Sequence, residues 1–387
     1  VARPFVLVDA TPLRATSGFR GIGRYVRDLL YGLELTRSEW QGEVSVAAIE
    51  DMGLGGRFVV NEDLIAAADA AFAARGTRKA GLTAARRWVL GKAAGRVGAS
   101  LLHVTEALGT PLGCPVQRLV TCHDMIELVY SAQYLRNRVR AWSRRHRERV
   151  RYAHADHVVA ISQRTATDVV AIAGADPAHV HVVPHGIDLD SFQGPNHDDE
   201  RVLGQLGLCG VRYAFYVGGA DWRKNAEGMV GALRAAREST DLELVWAGAL
   251  APKGVRRVER LARAAGVSDH VRLLGYVNES QLPALYRGSV AHLFLSRLEG
   301  FGLSVAEAMA AGCPVVVARG SQSDEIVGDA GIVVDPDDHA AAGRALSSLA
   351  GARDARSRYE ALGRERARRF DRRRMARDYA KLYAELG

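Results

Sequence analysis

The feature that most constrains this chain is a repeated switch of periodicity: short β-branched runs keep giving way to alanine-rich stretches with helical spacing. Before residue 190 the runs are FVLVDA, EVSVAAI, SLLHV, RLVTCHD, HVVAIS and HVHVVP. After it come RYAFYVGG, LELVWAG, HVRLLGYV, AHLFLS, PVVVA and GIVVDP. Segments such as YVRDLLYGLEL and AEGMVGALRAAREST lie between them, with apolar residues recurring every three or four positions. Strands separated by whole helices cannot pair as tight hairpins, so the pattern predicts parallel sheets joined by crossover helices, an α/β fold. At 387 residues the chain exceeds the size one core usually fills, and each half has its own six-strand series. Two Rossmann-like domains facing a cleft are therefore expected.

The polar, turn-rich segment IDLDSFQGPNHDDERVLGQLGLCG places a linker near residues 188–210. The expected division is an N-terminal domain over 1–190, a C-terminal domain over 205–366, and a tail over 367–387. That tail reads as a basic amphipathic helix, with Phe370, Met375, Tyr379, Leu382 and Tyr383 at its apolar positions, and is expected to pack back on the N-terminal domain.

No apolar run approaches the roughly 18 residues that span a bilayer, and the opening VARPFVLVDA reads as a strand rather than a leader. Cys114, Cys122, Cys209 and Cys313 show no CxxC spacing, which predicts reduced, mostly buried thiols in a cytoplasmic protein and no zinc site. The net charge of +8 is unevenly placed: residues 75–151 hold sixteen Lys and Arg against four Asp and Glu, and residues 136–151 hold eight arginines and one acid. Such a cluster marks either an anionic partner or a solvated arginine-rich helix; these arginines go around a helix rather than forming one stripe. No nucleic-acid recognition motif accompanies the charge, so no nucleic acid is expected. A membrane surface met peripherally, or a phosphorylated acceptor, fits better.

The stretch LEGFGLSVAEAMAAGCPVVVA, residues 298–318, carries the chemistry. LFLS is a strand ending at the carboxyl edge of the second sheet, where open α/β sheets bind ligands. Gly300 and Gly302 permit a tight turn and close approach of a ligand to the backbone. LSVAEAMAA then runs as a helix, stopped by Gly312 and Pro314. Glu299 precedes this helix and Glu307 lies about a turn and a half into it. Free amides at the helix start form an anion site. A carboxylate on each side suits the gripping of hydroxyls, one on a ribose and the other on a sugar, with diphosphate between. Alternatively, Glu307 is an exposed helix residue and Glu299 a charge favoured by the helix dipole.

This segment resembles the E-x7-E signature of the retaining, nucleotide-sugar-dependent glycosyltransferases of family 4, which have the GT-B fold. The likeness extends in order along nearly the whole chain through RGIGRY, CHD, ADHVVAISQRTATDV with VVPHGID, YVGGADWRKN, LLGYV, EGFGLSVAEAMAAGCPVV and EIVGDAGIVVDP. It implies that Glu299 contacts the transferred sugar and Glu307 the ribose, with the amides of Phe301, Gly302 and Leu303 meeting sugar and diphosphate. Arg223 and Lys224 would neutralise the diphosphate and stabilise the departing nucleotide. Asn225 after them suits a helix N-cap. Many relatives place a further arginine where this chain has Gly219. Gly21 matches a glycine loop whose backbone faces the diphosphate, although many relatives have two glycines where this chain has Arg20 and Gly21. His123 would contact the sugar, and Asp124 would orient the histidine or the acceptor. The backbones of Tyr276 and Val277 would face the base.

The resemblance further implies front-face attack with retention, the leaving diphosphate taking the acceptor proton, and no metal or other cofactor. Asp188-Leu189-Asp190 looks like a metal-binding DxD but lies in the linker. RGIGRY and CHD are similar to mannosyl- and related hexosyltransferases, which favours GDP-mannose ahead of UDP- and dTDP-sugars. The acceptor would be a saccharide, a lipid-linked or a natural-product hydroxyl. Rival expectations are a nucleotide-sugar epimerase or hydrolase on the same fold, and a basic-surface module binding membrane or nucleic acid.

Overall fold

The computed structural model describes residues 3–15, 21–52, 58–74, 82–135, 137–194 and 198–387. Arg20, Arg136 and residues 75–81 of the basic stretch lie outside the described residues. The chain forms two compact units, Val1–Gly186 with Phe370–Gly387, and Ile187–Arg369.

The first unit holds a seven-stranded sheet: β1 (Phe5–Asp9), β2 (Ser45–Met52), β3 (Phe58–Asn61), β4 (Leu101–Val104), β5 (Gln117–Cys122), β6 (His157–Ala160) and β7 (Val180–Val182). Their order is β3-β2-β1-β4-β5-β6-β7. Every pairing is parallel except β2 with β3. The periodicity predicts six strands here, and β3 is the seventh. It is four residues long and joins the edge antiparallel to β2, so no crossover helix announces it.

The second unit holds β8 (Tyr213–Val217), β9 (Glu243–Ala247), β10 (Val271–Gly275), β11 (Ala291–Phe294), β12 (Val315–Ala318) and β13 (Ile332–Val334), in the order β10-β9-β8-β11-β12-β13. All of these pairings are parallel. Helices cover both faces of such a sheet, so its central strands are apolar throughout: every residue of β11 and β12 is buried. Small residues bring the covering helices into contact. A Cβ on Gly343, in the His339–Gly351 helix, would sit 2.5 Å from the Ala235 Cβ of the Ala226–Ala236 helix.

The described part of the polar segment 188–210 belongs to the second unit and forms the short helices Leu189–Phe192 and Asp199–Gln205. The final helix, Arg372–Leu386, belongs to the first unit and buries Met375, Tyr379, Leu382 and Tyr383. Its start is seated on two glycines. A Cβ on Gly32 would lie 2.4 Å from the Arg372 carbonyl oxygen, and one on Gly186 would lie 2.5 Å from the Arg372 Cα. Cys122 and Cys313 are buried and Cys114 partly so, but Cys209 is exposed, against the expectation for that thiol.

In both sheets the strand order reverses once, between β1 and β4 and between β8 and β11. Loops leaving the carboxyl ends of two such neighbours run to opposite faces, which opens a crevice between them.

Candidate active site

In the second unit that crevice is built from the loops after β8 and β11. β8 is followed by Gly218 and Gly219, whose carbonyl oxygens accept hydrogen bonds from Trp246 Nε1 and Tyr216 Oη, each at 3.0 Å. The place where relatives carry a further arginine is therefore a pinned backbone turn. Asp221 caps the next turn, Trp222–Lys224, by accepting from the Lys224 amide. Asn225 adopts the left-handed conformation (φ 57°) and caps the Ala226–Ala236 helix by accepting from the Gly228 amide at 3.1 Å. Its Nδ2 donates to the Pro336 carbonyl at 2.8 Å. These anchors hold Arg223 and Lys224 at the mouth of the crevice.

Glu299, on the loop after β11, receives both cations. Arg223 Nη1 lies 2.5 Å from Oε2, and Lys224 Nζ lies 2.6 Å from Oε1. Ser296 Oγ donates to Oε1, and Gln322 Oε1 accepts from the Glu299 amide at 2.9 Å. The residue is buried, 9% exposed. Burial pushes its carboxyl pKa up, but the adjacent Lys224 and Arg223 charges win and hold it below the ordinary carboxylate range. Arg223 also donates to the Leu298 carbonyl, and Lys224 lies over the Phe294 ring. The sequence pattern gave the glutamate and the cations separate duties; in the fold they form one ion cluster.

The helix Leu303–Ala310 starts next to this cluster. Gly302 is its N-cap at φ 118°, a conformation that favours glycine, and no described side chain caps the first turn. Gly300 is half-buried, Phe301 and Gly302 are buried, and Leu303 is half-buried. Below the turn, His292 of β11 donates from Nδ1 to the Phe215 carbonyl at 3.0 Å and accepts at Nε2 from Ser304 Oγ at 3.2 Å. Complete burial lowers the His292 pKa to about 3, so this strut is neutral.

Glu307 is 1% exposed, which removes the alternative of an exposed helix residue, and its Oε2 accepts from Tyr286 Oη at 3.1 Å. Tyr276 is 73% exposed just beyond β10, and Val277 is buried beside it. The fold thus brings Glu299, Arg223 and Lys224 together and adds Ser296, Gln322 and His292, which the motif does not reveal. Ser296 and His292 do leave a signal, as the polar residues in the apolar run AHLFLS.

In the first unit His123 follows β5 and is half-buried. Its Nε2 donates to the Thr105 carbonyl at 2.8 Å, and the Tyr25 ring packs edge-on at 4.8 Å. Burial lowers its pKa, so the ring is neutral with Nε2 protonated and Nδ1 left as an acceptor. Thr105 rather than Asp124 orients the ring: Asp124 is exposed, and its Oδ1 accepts from the Ile126 amide. A cavity of about 300 Å³ lies here at the ends of β4 and β5, lined by Glu106, Thr121, His123, Asp124, Arg144 and Arg151 among others. Gly21 is exposed and is the first residue of the Gly21–Leu35 helix rather than part of a described loop.

The basic stretch supplies the Arg138–Ala153 helix. Arg151 is buried against Glu148, and Arg144 lies 3.3 Å from both Glu127 and Glu148. Arg138, Arg140, Arg145, Arg147 and Arg149 are exposed, together with Val139 and Trp142.

Two family models match the chain: glycosyltransferase family 4 over residues 19–191, and glycosyl transferases group 1 over residues 209–366. A D-inositol 3-phosphate glycosyltransferase of Xylanimonas cellulosilytica is 33% identical over 56% of this chain and 54% of that protein. An MMP alpha-(1->4)-mannosyltransferase of Mycolicibacterium hassiacum is 29% identical over 61% of this chain and 54% of that one. The chain thus spans about half the length of these relatives. Among solved structures, sucrose-phosphate synthase from Thermosynechococcus elongatus superposes with a TM-score of 0.73 at 21% identity, covering 100% of this chain and 99% of that one. This likeness fixes the fold as GT-B.

Proposed function

We propose that this chain, which belongs to glycosyltransferase family 4, moves a hexose from a nucleoside-diphosphate sugar to a hydroxyl of an acceptor, with retention of anomeric configuration. The observation that carries the reading is the cluster of half-buried Arg223 and Lys224 on buried Glu299, beside the start of the Leu303–Ala310 helix that no described side chain caps, at the point where the second sheet reverses its order. Glu299 takes hydroxyls of the transferred sugar. Arg223, Lys224 and the amides of Phe301, Gly302 and Leu303 take the diphosphate, supplying the positive charge that a metal ion would otherwise bring. Glu307 takes the ribose, and the backbones of Tyr276 and Val277 the base.

In the first unit, the cavity beside His123 takes a saccharide, lipid-linked or natural-product acceptor. His123 Nδ1 serves as a hydrogen-bond acceptor for a sugar hydroxyl, and Asp124 contacts the acceptor. The leaving diphosphate takes the acceptor proton during front-face attack. GDP-mannose is the favoured donor, in keeping with the mannosyltransferase among the relatives, and UDP- and dTDP-sugars follow. The exposed arginines, Val139 and Trp142 of the Arg138–Ala153 helix support a further reading, peripheral contact with an anionic membrane on the cytoplasmic side.

Thermal unfolding with GDP, UDP, dTDP and ADP tests the donor assignment. One nucleotide is expected to raise the midpoint selectively, since a ligand at about 100 times its Kd stabilises by about 2.7 kcal/mol. No rise with any of the four at millimolar concentration sinks the reading. Release of free sugar from the sugar nucleotide at the same rate with and without every acceptor tried would point instead to a hydrolase.

A further inference from the structure

We propose that Glu299 is an internal stand-in for the donor's diphosphate, holding Arg223 and Lys224 until an intact nucleotide sugar arrives and thereby disfavouring the nucleoside diphosphate left after transfer. The inference rests on the donor-site reading above and adds to it a rule for ligand choice. Both carboxylate oxygens of Glu299 are committed to the two cations, at 2.5 and 2.6 Å, with Ser296 Oγ as a further donor. The group is buried and ionised, so each of these charge-assisted bonds is strong and hard to give up. A diphosphate at the start of the Leu303–Ala310 helix needs the same two cations. By drawing on their charge and their N–H donors it loosens their hold on Glu299.

What happens to the carboxylate then depends on the ligand. A nucleotide sugar brings hydroxyl groups, which donate to the carboxylate and replace the lost N–H bonds. A nucleoside diphosphate, whose ribose is held at Glu307, brings none to Glu299, and inorganic pyrophosphate has none. Glu299 is then left as a buried charge with its cations partly drawn away and nothing in their place, which is costly. The site therefore prefers the intact donor through a group left unsatisfied by the wrong ligand, rather than through extra contacts to the right one. The same imbalance expels the nucleoside diphosphate after the sugar has gone.

Titration calorimetry of the full chain with inorganic pyrophosphate, with the nucleoside diphosphate that shifts the thermal midpoint and with its sugar nucleotide tests this. Glu299→Gln keeps the shape but removes the competing charge. It is expected to bind pyrophosphate and the nucleoside diphosphate at least tenfold more tightly than the wild type, while the sugar nucleotide gains less than threefold. Glu299→Ala, measured alongside, is expected to share the gain for pyrophosphate. Glu299→Asp, which keeps the charge, is expected to gain less than threefold. Equal or weaker pyrophosphate binding in both neutral variants overturns the inference and leaves the donor assignment standing. Failure of the wild type and of both neutral variants to bind any nucleoside diphosphate or sugar nucleotide overturns the assignment, and the inference with it.

Discussion

At the scale of single residues, the site is a set of buried charges and neutral struts whose protonation is fixed by surroundings. His292 and His103 are the clearest cases. Each is fully buried, and burial lowers each pKa from 6.5 to about 3. His292 joins Phe215 to Ser304 at the helix start, while His103 joins Tyr383 to Thr121. The unfolded chain binds a proton at each histidine below pH 6.5, whereas the fold keeps both neutral down to about pH 3. The stability they confer is thus complete above pH 6.5 and lost as pH falls towards 3, at about 1.4 kcal/mol per pH unit for each histidine. Urea unfolding between pH 7 and pH 5 is expected to show this slope, and His292→Gln to reduce it. An unchanged slope in His292→Gln would show that this histidine is not held neutral. The residue scale also shows the limit of motif reading. Glu299 is legible beside its glycines, but its partners Arg223 and Lys224 lie 76 and 75 positions away, and no spacing rule connects them.

At the scale of elements, the periodicity was a sound guide wherever a strand is buried on both faces. FVLV, LVWAG and PVVVA are continuous apolar runs, and β1, β9 and β12 are built on them. It failed at β3, whose short edge pairing gives no period of its own. The Arg138–Ala153 helix is a mixed case. Its charge was plain, but only packing separates the arginines turned inward to Glu148 from those left outside with Trp142. If that outer face meets a membrane, vesicles containing phosphatidylglycerol should co-sediment the protein at low salt, and neutral phosphatidylcholine vesicles should not. Arg145→Glu with Arg149→Glu is expected to weaken binding at least tenfold, since each basic group near such a surface is worth about 1 kcal/mol. No sedimentation with either lipid would leave the helix as merely solvated.

At the scale of the whole molecule, the chain leaves the first unit at Gly186 and re-enters it at Phe370, so the first unit is complete only when the last helix is in place. Tyr379 Oη bonds to Tyr25 Oη, Tyr383 Oη lies 2.6 Å from His103 Nδ1, and Arg377 Nε lies 2.6 Å from Glu39 Oε2. Gly186→Ala would drive a Cβ into the backbone of Arg372 and is expected to cost about 1–3 kcal/mol. The midpoint of thermal unfolding should fall by several degrees and limited proteolysis should clip the last helix sooner. Wild-type behaviour in both assays would mean that the helix start can shift freely. The sequence by itself determined the α/β class, nearly every strand and the motif around Glu299, because strand and helix periods and glycine-bracketed turns are local properties of the chain. Only the tertiary structure decided which charges meet, where the last helix is seated and which of the arginines are spent inside. Those outcomes depend on side chains that the sheet order brings within 3 Å of one another from distant parts of the sequence.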